Sequence, residues 1–202
     1  IDNKAPIISI TNGVHVNTWQ APEINEAYEQ GNGLWEAHMK LKKELIDFVY
    51  QKTGSRMNPD ALVVGFARRA AAYKRTDLIF RNTAVISPVL EEGKLQLLFS
   101  GKAHPEDDIG KSIIKELVKM DRHFKDNVIF LENYNKKIAR LIVRGCDIWL
   151  NNPCRPLEAS GTSGQKVCPN GIINFSILDG WWCEGYNGKN GWAIGDNTYY
   201  DN

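Results

Sequence analysis

Four positively charged side chains lie within the eight residues of the segment Arg68–Arg75, directly after a short apolar stretch, Ala61–Phe66. An arginine presents a planar pair of donors that matches phosphate oxygens, and a lysine presents a compact point charge. Cations at the start of a helix oppose the helix dipole, so this row of charges favours a bound anion. The segment therefore predicts an anion site, and a solvated basic helix start is the alternative.

A second polar segment, Pro156–Lys166, contains a carboxylate, a Gly-Thr-Ser-Gly run and a lysine. The backbone N–H groups and hydroxyls of such a run, placed before a helix, suit an anion. Lys166 lies about one helical turn further on, where its amine could contact a phosphate or form an imine with an aldehyde cofactor. Because the spacing of a Walker A loop is missing, the segment predicts a phosphate site of another kind, with a plain capped helix as the alternative.

Two further loops carry weaker signals. The Asn-Gly pair in Thr11–Trp19 is typical of a turn, and the segment by itself favours a surface loop with a packed tryptophan. In Ser100–Pro105, the position of His104 before a proline is more typical of a helix entry than of a catalyst. His38 and His123 lie on helical stretches and are given no functional role.

The elements that must position these segments alternate between two kinds. Nearly continuous apolar runs predict strands covered on both faces at Ala61–Phe66, Leu95–Ser100, Asn127–Leu131 and Asp147–Leu150. Amphipathic patterns predict helices at Leu34–Thr53, Pro105–Met120 and Asn135–Arg144. The alternation predicts an α/β fold, a parallel sheet with helices on both faces, whose ligands lie beyond the carboxyl ends of the strands.

Two helices have more detailed signals. The first is expected to bury a stripe that begins at Leu34 and to stop at Gly54. The second is expected to begin near Pro105 and to bury a stripe that begins at Ile109.

The composition excludes several classes of protein. The chain has 202 residues, of which 43% are hydrophobic and 24% charged, values typical of a globular domain and unlike a disordered or collagen-like chain. The formal net charge of +1 argues against a general binder of nucleic acids or membrane surfaces. The sequence has no apolar run long enough to span a bilayer and no signal-peptide pattern.

The cysteines and the first residue bear on location and completeness. The four cysteines, Cys146, Cys154, Cys168 and Cys183, have no C-x-x-C spacing, which favours reduced thiols in a cytoplasmic protein over disulfides or a zinc site, and no metal site is predicted. Because the sequence begins at Ile1, a processed chain or an excerpt of a longer one is expected.

Taken together, these segments resemble the α-glucan (glycogen, starch or maltodextrin) phosphorylase family. The most specific match is Glu158-Ala-Ser-Gly-Thr162 followed by Lys166. Further matches in the right order are Arg69 with Tyr73-Lys74-Arg75, Asn133-Tyr134, and Ile10-Thr-Asn-Gly13 with Trp19. The segment Ile177–Gly188 is similar to the shorter bacterial or archaeal branch of the family. The resemblance covers nearly the whole chain and implies that residues 1–202 form the family's carboxyl-terminal, Rossmann-like domain, which binds cofactor and phosphate.

The resemblance also implies roles for individual residues. Lys166 would carry pyridoxal 5′-phosphate as a Schiff base. The cofactor phosphate would contact Arg68, Thr162 and Ser163, and the pyridoxal ring would lie near Tyr134 and Trp19. Arg69 and Lys74 would hold the substrate phosphate. The hydroxyls of the transferred glucose would be bound by Asn12, Glu158, Ser160 and Gly161. Ser163-Gly164-Gln165 departs from the family's frequent Gly-Asn-Met before the lysine, and three alanines precede Tyr73 where animal enzymes have larger polar groups.

The activity that the resemblance implies is the reversible phosphorolysis of a terminal α-1,4-linked glucose to give α-glucose 1-phosphate with retained configuration. Because the family's substrates bind between two domains, the isolated chain is expected to be inactive or nearly so, with the amino-terminal domain of the same enzyme as its partner. One alternative is a glycogen or starch synthase-like glycosyltransferase that uses a sugar nucleotide. Another is a non-catalytic glucan- or nucleotide-binding domain, in which the tryptophan- and glycine-rich segment Asp179–Trp192 would stack on sugars or form a packed loop. A transaminase is a third option, whose lysine has a different context.

Overall fold

The computed structural model describes residues 8 and 10–196, and in this part of the chain a single six-stranded sheet has all its strands parallel. The strands are β1 (Leu62–Ala67), β2 (Leu95–Ser100), β3 (Val128–Leu131), β4 (Ile148–Asn151), β5 (Ile173–Ile177) and β6 (Gly191–Ile194). Their order across the sheet is β3-β2-β1-β4-β5-β6. The order reverses between β1 and β4, which opens a crevice at the carboxyl ends of these two strands.

Helices cover both faces of the sheet. They are α1 (Val16–Trp19), α2 (Pro22–Gln30), α3 (Leu34–Thr53), α4 (Thr83–Glu91), α5 (Asp108–Phe124), α6 (Lys136–Gly145), α7 (Thr162–Val167) and α8 (Trp182–Gly185). One core layer contains side chains of α3, α6 and α7, and a second contains side chains of α4 and α5. The α/β prediction, with a parallel sheet between two helical layers, is therefore confirmed.

Close packing against the sheet has a visible cause at Gly65 in β1. A Cβ atom at this position would lie 3.0 Å from both Cys146 Sγ and Ile142 Cγ2, so only glycine lets α6 lie this close to the strand. In the sheet, β1 pairs with β4 at Val64↔Ile148 and Gly65↔Trp149. This pair of strands carries the two segments that were singled out for chemistry.

The three helices predicted from amphipathic patterns are confirmed in position, with corrections to the bounds of the second and third, and the described part of the chain has five further α-helices. The Leu34–Thr53 helix has the predicted bounds and ends at Gly54, whose φ is 77°. The second helix begins at Asp108, not near Pro105, because the Asp107 side chain accepts a hydrogen bond from Gly110 N at 2.8 Å and caps the helix there.

The apolar stripes of these two helices begin later than the sequence pattern indicates. Leu34 and Ile109 are 45% and 62% exposed, so the expectation that they are buried is wrong. The first buried apolar side chains are Leu41 in α3 and Ile113 in α5.

The last third of the chain contains two strands that the sequence pattern did not predict. Polar residues Asn174 and Ser176 interrupt the apolar run of β5, although both are buried. Trp182 is also fully buried, while Trp192 in β6 is half-exposed. Within the tryptophan-rich segment, Trp182 thus begins the short helix α8 and packs in the interior. In the described part of the chain, no helix is long and apolar enough to cross a membrane.

Candidate functional site

An open pocket of about 570 Å³ lies at the carboxyl ends of β1 and β4, where the strand order reverses. Eleven of the twelve predicted site residues line it: Asn12, Arg68, Arg69, Lys74, Tyr134, Glu158, Ser160, Gly161, Thr162, Ser163 and Lys166. The remaining one, Trp19, lies beside Lys166, with its ring centroid 4.2 Å from the lysine Nζ. The fold therefore brings together segments that are up to about 150 residues apart in the sequence.

At the centre of the pocket, Glu158, Arg68 and Lys74 form a buried ionic cluster, called here the pocket cluster. Lys74 Nζ lies 2.6 Å from Glu158 Oε1 and 2.5 Å from Oε2, and Arg68 Nη2 donates to Oε2 at 2.8 Å. Less than a tenth of each side chain is exposed. One carboxylate thus neutralises only part of two buried positive charges, which leaves the cluster with an affinity for a further anion.

The position of Arg68 depends on two polar residues that sequence reasoning missed. Its Nη1 donates to Asn151 Oδ1, and Asn151 Nδ2 donates to Ser176 Oγ at 2.9 Å. Burial lowers the pKa of the Arg68 guanidinium, and the neighbouring Glu158 carboxylate opposes this effect. Asn151 and Ser176 lie at or near the carboxyl ends of β4 and β5, and a polar residue that ends an apolar run was the available signal.

Arg69 differs from its neighbour. It is exposed at the rim of the pocket, and it forms no ion pair with any residue in the described range 10–196. The segment between Arg69 and Arg75 is a loop with a short 3-10 turn at Ala72–Lys74, so the alternative of a basic α-helix is wrong. The guanidinium of Arg75 does not line the pocket, and it donates instead to the carbonyl oxygens of Asn152 and Pro153.

Lys166 lies on the short helix α7, which packs closely against Trp181 and Asn174. The Thr-Ser-Gly part of the run was expected before the helix but forms the first turn of α7, after Gly161 with φ 77°. A Cβ atom at Gly164 would lie 2.8 Å from Trp181 Nε1 and 2.9 Å from Asn174 Oδ1, so glycine is required there. Burial lowers the pKa of Lys166, which increases the fraction of neutral, nucleophilic amine.

Two loops complete the walls of the pocket. Asn12 is fixed through its backbone, because its carbonyl oxygen accepts a hydrogen bond from Gln165 Nε2 at 2.6 Å. Tyr134 follows β3 and donates to the Ala67 carbonyl at 3.5 Å, and burial raises the pKa of its hydroxyl. His104 bonds to the backbone of Glu106 at the entry to α5, as expected for a helix-entry residue.

Several buried donors in the pocket have no partner among the described residues: Arg68 Nε, Ser160 Oγ and Ser163 Oγ. Buried polar atoms are nearly always hydrogen-bonded in folded proteins, so unpartnered donors beside two cations indicate space for an anionic ligand. Together with an amine of lowered pKa, this donor set fits a ligand that has both a phosphate and an aldehyde. Over the described residues, no group of three or more His, Cys, Asp or Glu side chains is placed to hold a metal ion.

A second buried ionic cluster, called the base cluster, lies at the amino ends of β1 and β4, opposite the strand ends that form the pocket, and consists of Asp147, His38 and Lys42. Asp147 Oδ1 lies 2.7 Å from His38 Nε2, and Oδ2 lies 2.8 Å from Lys42 Nζ. Oδ2 also accepts the backbone N–H of Val63 at 2.7 Å. Burial alone would raise the pKa of Asp147, but the hydrogen bonds from His38, Lys42 and Val63 lower it overall. Sequence reasoning gave none of these side chains a role.

Comparisons with known proteins agree with the geometry. A family model described as carbohydrate phosphorylase matches residues 22–186. The maltodextrin phosphorylase of Thermococcus litoralis is 39% identical, over 97% of this chain and 28% of its own length. Glycogen phosphorylases of Aquifex aeolicus and Mycobacterium bovis are each 38% identical, over 96% and 95% of this chain. The chain spans only 27% to 34% of the length of these curated relatives.

Proposed function

Because the chain belongs to the carbohydrate phosphorylase family, we propose that it is the cofactor- and phosphate-binding domain of an α-glucan phosphorylase. The proposed reaction transfers a terminal α-1,4-linked glucose to inorganic phosphate and yields α-glucose 1-phosphate. The observation that carries the proposal is the convergence of three cations, a lysine of lowered pKa and unpartnered buried donors on one pocket.

The cofactor proposed for this pocket is pyridoxal 5′-phosphate. Lys166 would hold it covalently, since the neutral amine attacks the aldehyde carbon and water leaves. Ser163, Thr162 and Arg68 would bind its phosphate, and the unpartnered Ser163 Oγ and Arg68 Nε supply donors for this purpose. When bound, the cofactor would supply a phosphate group that exchanges a proton with the substrate phosphate.

Arg69 and Lys74 are proposed to hold the substrate phosphate. Two phosphates in one pocket repel each other strongly unless cations lie between them. Arg68, Arg69 and Lys74 supply three positive charges, of which Glu158 neutralises one. The exposed guanidinium of Arg69 is the group best placed to meet a phosphate that arrives from solvent.

The hydroxyls of the transferred glucose are proposed to bind to Asn12, Glu158, Ser160 and Gly161, which line the same pocket. Ser160 Oγ is buried and unpartnered, and Glu158 is a charged acceptor whose hydrogen bonds are worth about 1.5–3 kcal/mol each. Trp19 and Tyr134 would flank the pyridoxal ring. The ring of Trp19 already covers the amine of Lys166.

This chain is proposed to supply one wall of a cleft, and the remainder of a longer protein the other. The pocket is open, and the chain covers only about a third of its relatives' length. We therefore expect the isolated domain to have little or no activity. A cytoplasmic location is proposed as well, supported by the free thiols of Cys146, Cys168 and Cys183.

The lysine assignment is tested with the full-length protein that contains this chain. After incubation with pyridoxal 5′-phosphate and reduction with borohydride, the label is expected on Lys166 and is expected to be absent from Lys166→Ala. Lys102→Ala, an exposed lysine after β2, is the control and should be labelled like the wild type. An absorbance of the attached cofactor that survives in Lys166→Ala would refute the assignment. A glycosyltransferase that uses a sugar nucleotide would show no such label in either protein.

The phosphate assignment is tested by kinetics. In the full-length protein, Arg69→Ala and Lys74→Ala should each raise the KM for inorganic phosphate about tenfold or more, because each removes a charge-assisted hydrogen bond. The KM for the glucan should change much less for Arg69→Ala, which forms no ion pair with Glu158. Phosphate dependence identical to the wild type would contradict the proposal.

A further inference from the structure

The amide of Asn170 joins the backbone of α1 to the backbone of α7. The side chain is 1% exposed and follows Lys166 by one helical turn. Its Nδ2 donates to the carbonyl oxygens of Trp19 at 3.1 Å and Lys166 at 3.0 Å. Its Oδ1 accepts the backbone N–H of Ala21 at 2.8 Å. All three polar positions of this amide are therefore used to hold two separate segments in one arrangement.

The arrangement that Asn170 fixes determines what surrounds the Lys166 amine. With both carbonyls bound to the same Nδ2, the Trp19 ring lies with its centroid 4.2 Å from Lys166 Nζ. A ring at this distance attracts the ammonium form and at the same time excludes water from one side of the amine. The other side of the amine lines the pocket.

A second residue fastens the same tryptophan from another direction. Arg144, in the last turn of α6, donates from Nε to the Trp19 carbonyl at 3.0 Å and from Nη2 to the Gln20 carbonyl at 2.8 Å. The Trp19 carbonyl thus accepts two hydrogen bonds, although α1 is only four residues long and has no buried residue of its own. The position of Trp19 therefore depends on these hydrogen bonds together with the packing of its side chain against the core.

We propose that Asn170 is a positioning residue for the attachment of the cofactor, acting through Trp19 and Lys166. This inference rests on the proposed function, in which the Lys166 amine attacks the aldehyde carbon of pyridoxal 5′-phosphate with loss of water. Asn170 holds the backbone of Lys166 and Trp19 so that the amine lies between the Trp19 ring and the pocket, where it would meet the cofactor. A misplacement of a reacting group by about 1 Å costs up to about 100-fold in rate.

The test compares Asn170→Ala with a matched control in the full-length protein. Gln96→Ala is the control, because Gln96 is equally buried and lies near the amino end of β2, away from the pocket. Its amide also joins two backbone groups, Asn58 N and Asp126 O. Both variants should lose stability in thermal unfolding. Only Asn170→Ala should slow the labelling of Lys166 by pyridoxal 5′-phosphate, about tenfold or more, when the labelled lysine is mapped by mass spectrometry after borohydride reduction.

If Asn170→Ala does not fold, the rate of Lys166 labelling in a variant that keeps Asn170 tests the inference. Arg144→Met removes the second fastening of the Trp19 carbonyl and should slow the labelling of Lys166 by a smaller factor. The inference is overturned if Asn170→Ala is labelled as fast as Gln96→Ala, or if it does not fold and Arg144→Met is labelled as fast as the wild type. If Lys166 of the wild type takes no label at all, the proposed function fails instead.

Discussion

The pocket cluster and the base cluster are both built around one buried carboxylate, but they differ in whether all their buried polar atoms have hydrogen-bond partners. In the base cluster, Asp147 has a partner on each oxygen, and Lys42 donates a further hydrogen bond to the Ala61 carbonyl at 2.7 Å. None of its buried side-chain atoms lacks a partner among the described residues. In the pocket cluster, Glu158 faces two cations, and Arg68 Nε is left without a partner.

The two clusters therefore differ in how completely their buried polar atoms are partnered. In the base cluster, hydrogen bonds and an ion pair join α3 to the amino ends of β1 and β4. In the pocket cluster, two cations share one carboxylate, and the excess positive charge favours the binding of an anion. Buried charge alone therefore does not indicate a functional site here. The unpartnered donors and the surplus of cations do.

The largest expected effect is the loss of the base cluster. Asp147→Asn would leave the nearly buried Lys42 ammonium without its counter-ion, which costs about 3–5 kcal/mol of the free energy of unfolding. Urea unfolding followed by circular dichroism measures this loss. Added inorganic phosphate should restore no more stability than it adds to the wild type, since the cavity beside this cluster is lined mostly by apolar side chains, which give a phosphate few donors. A phosphate-specific recovery would erase the distinction between the two clusters.

The matched change in the pocket cluster should be reversible by a ligand. Glu158→Gln removes the carboxylate that competes with phosphate for Arg68 and Lys74, so the variant should bind inorganic phosphate more tightly than the wild type does. At a phosphate concentration 100 times its Kd, the gain in unfolding free energy is about 2.7 kcal/mol. Thermal unfolding at increasing phosphate concentration measures the gain. Equal responses of the variant and the wild type would show that Glu158 does not compete with the anion.

A smaller effect on stability is expected from a substitution at Gly164, in the helix that carries Lys166. Gly164→Ala would place a methyl group less than 3 Å from Trp181 Nε1 and Asn174 Oδ1, and this overpacking costs about 1–3 kcal/mol. Because α7 must shift to relieve the contact, cofactor labelling of Lys166 should also slow. Gly13→Ala has no atom within 4 Å of the new methyl group and serves as the stability control. Labelling that is as fast as in the wild type would show that α7 tolerates the shift.

The smallest expected effect is a change in the stabilising contribution of Asp147 at acidic pH. The pKa of Asp147 is lowered in the folded state from an ordinary value of 3.8, so its contribution to stability is complete above that value. The contribution decreases as the pH falls through the lower pKa of the folded state. The difference in unfolding free energy between the wild type and Asp147→Asn should therefore be constant near neutral pH and shrink below pH 3.8. A difference that does not change with pH would show that the Asp147 carboxylate is not the group responsible.

Much of the fold could be predicted because its signals are local. The strand Leu95–Ser100 and the helix Leu34–Thr53 have the predicted bounds, since a continuous apolar run and a 3.6-residue period depend only on neighbouring residues. β5 was missed because buried Asn174 and Ser176 interrupt its apolar pattern. Their burial depends on strands on either side, which no local pattern encodes.

The candidate site divides in the same way. The residue types and spacing in Glu158–Lys166 and Arg68–Lys74 identified the family and the residues of the pocket before any geometry was known. Only the tertiary structure decided that Glu158 pairs with Arg68 and Lys74, which lie 90 and 84 residues before it, and that Asn170 binds the Trp19 carbonyl across 151 residues. Hydrogen bonds between distant residues form only after the sheet has brought the strand ends together. For that reason the sequence by itself indicated the family and most of the residues that line the pocket, and the packing of the chain decided which of them hold one another in place.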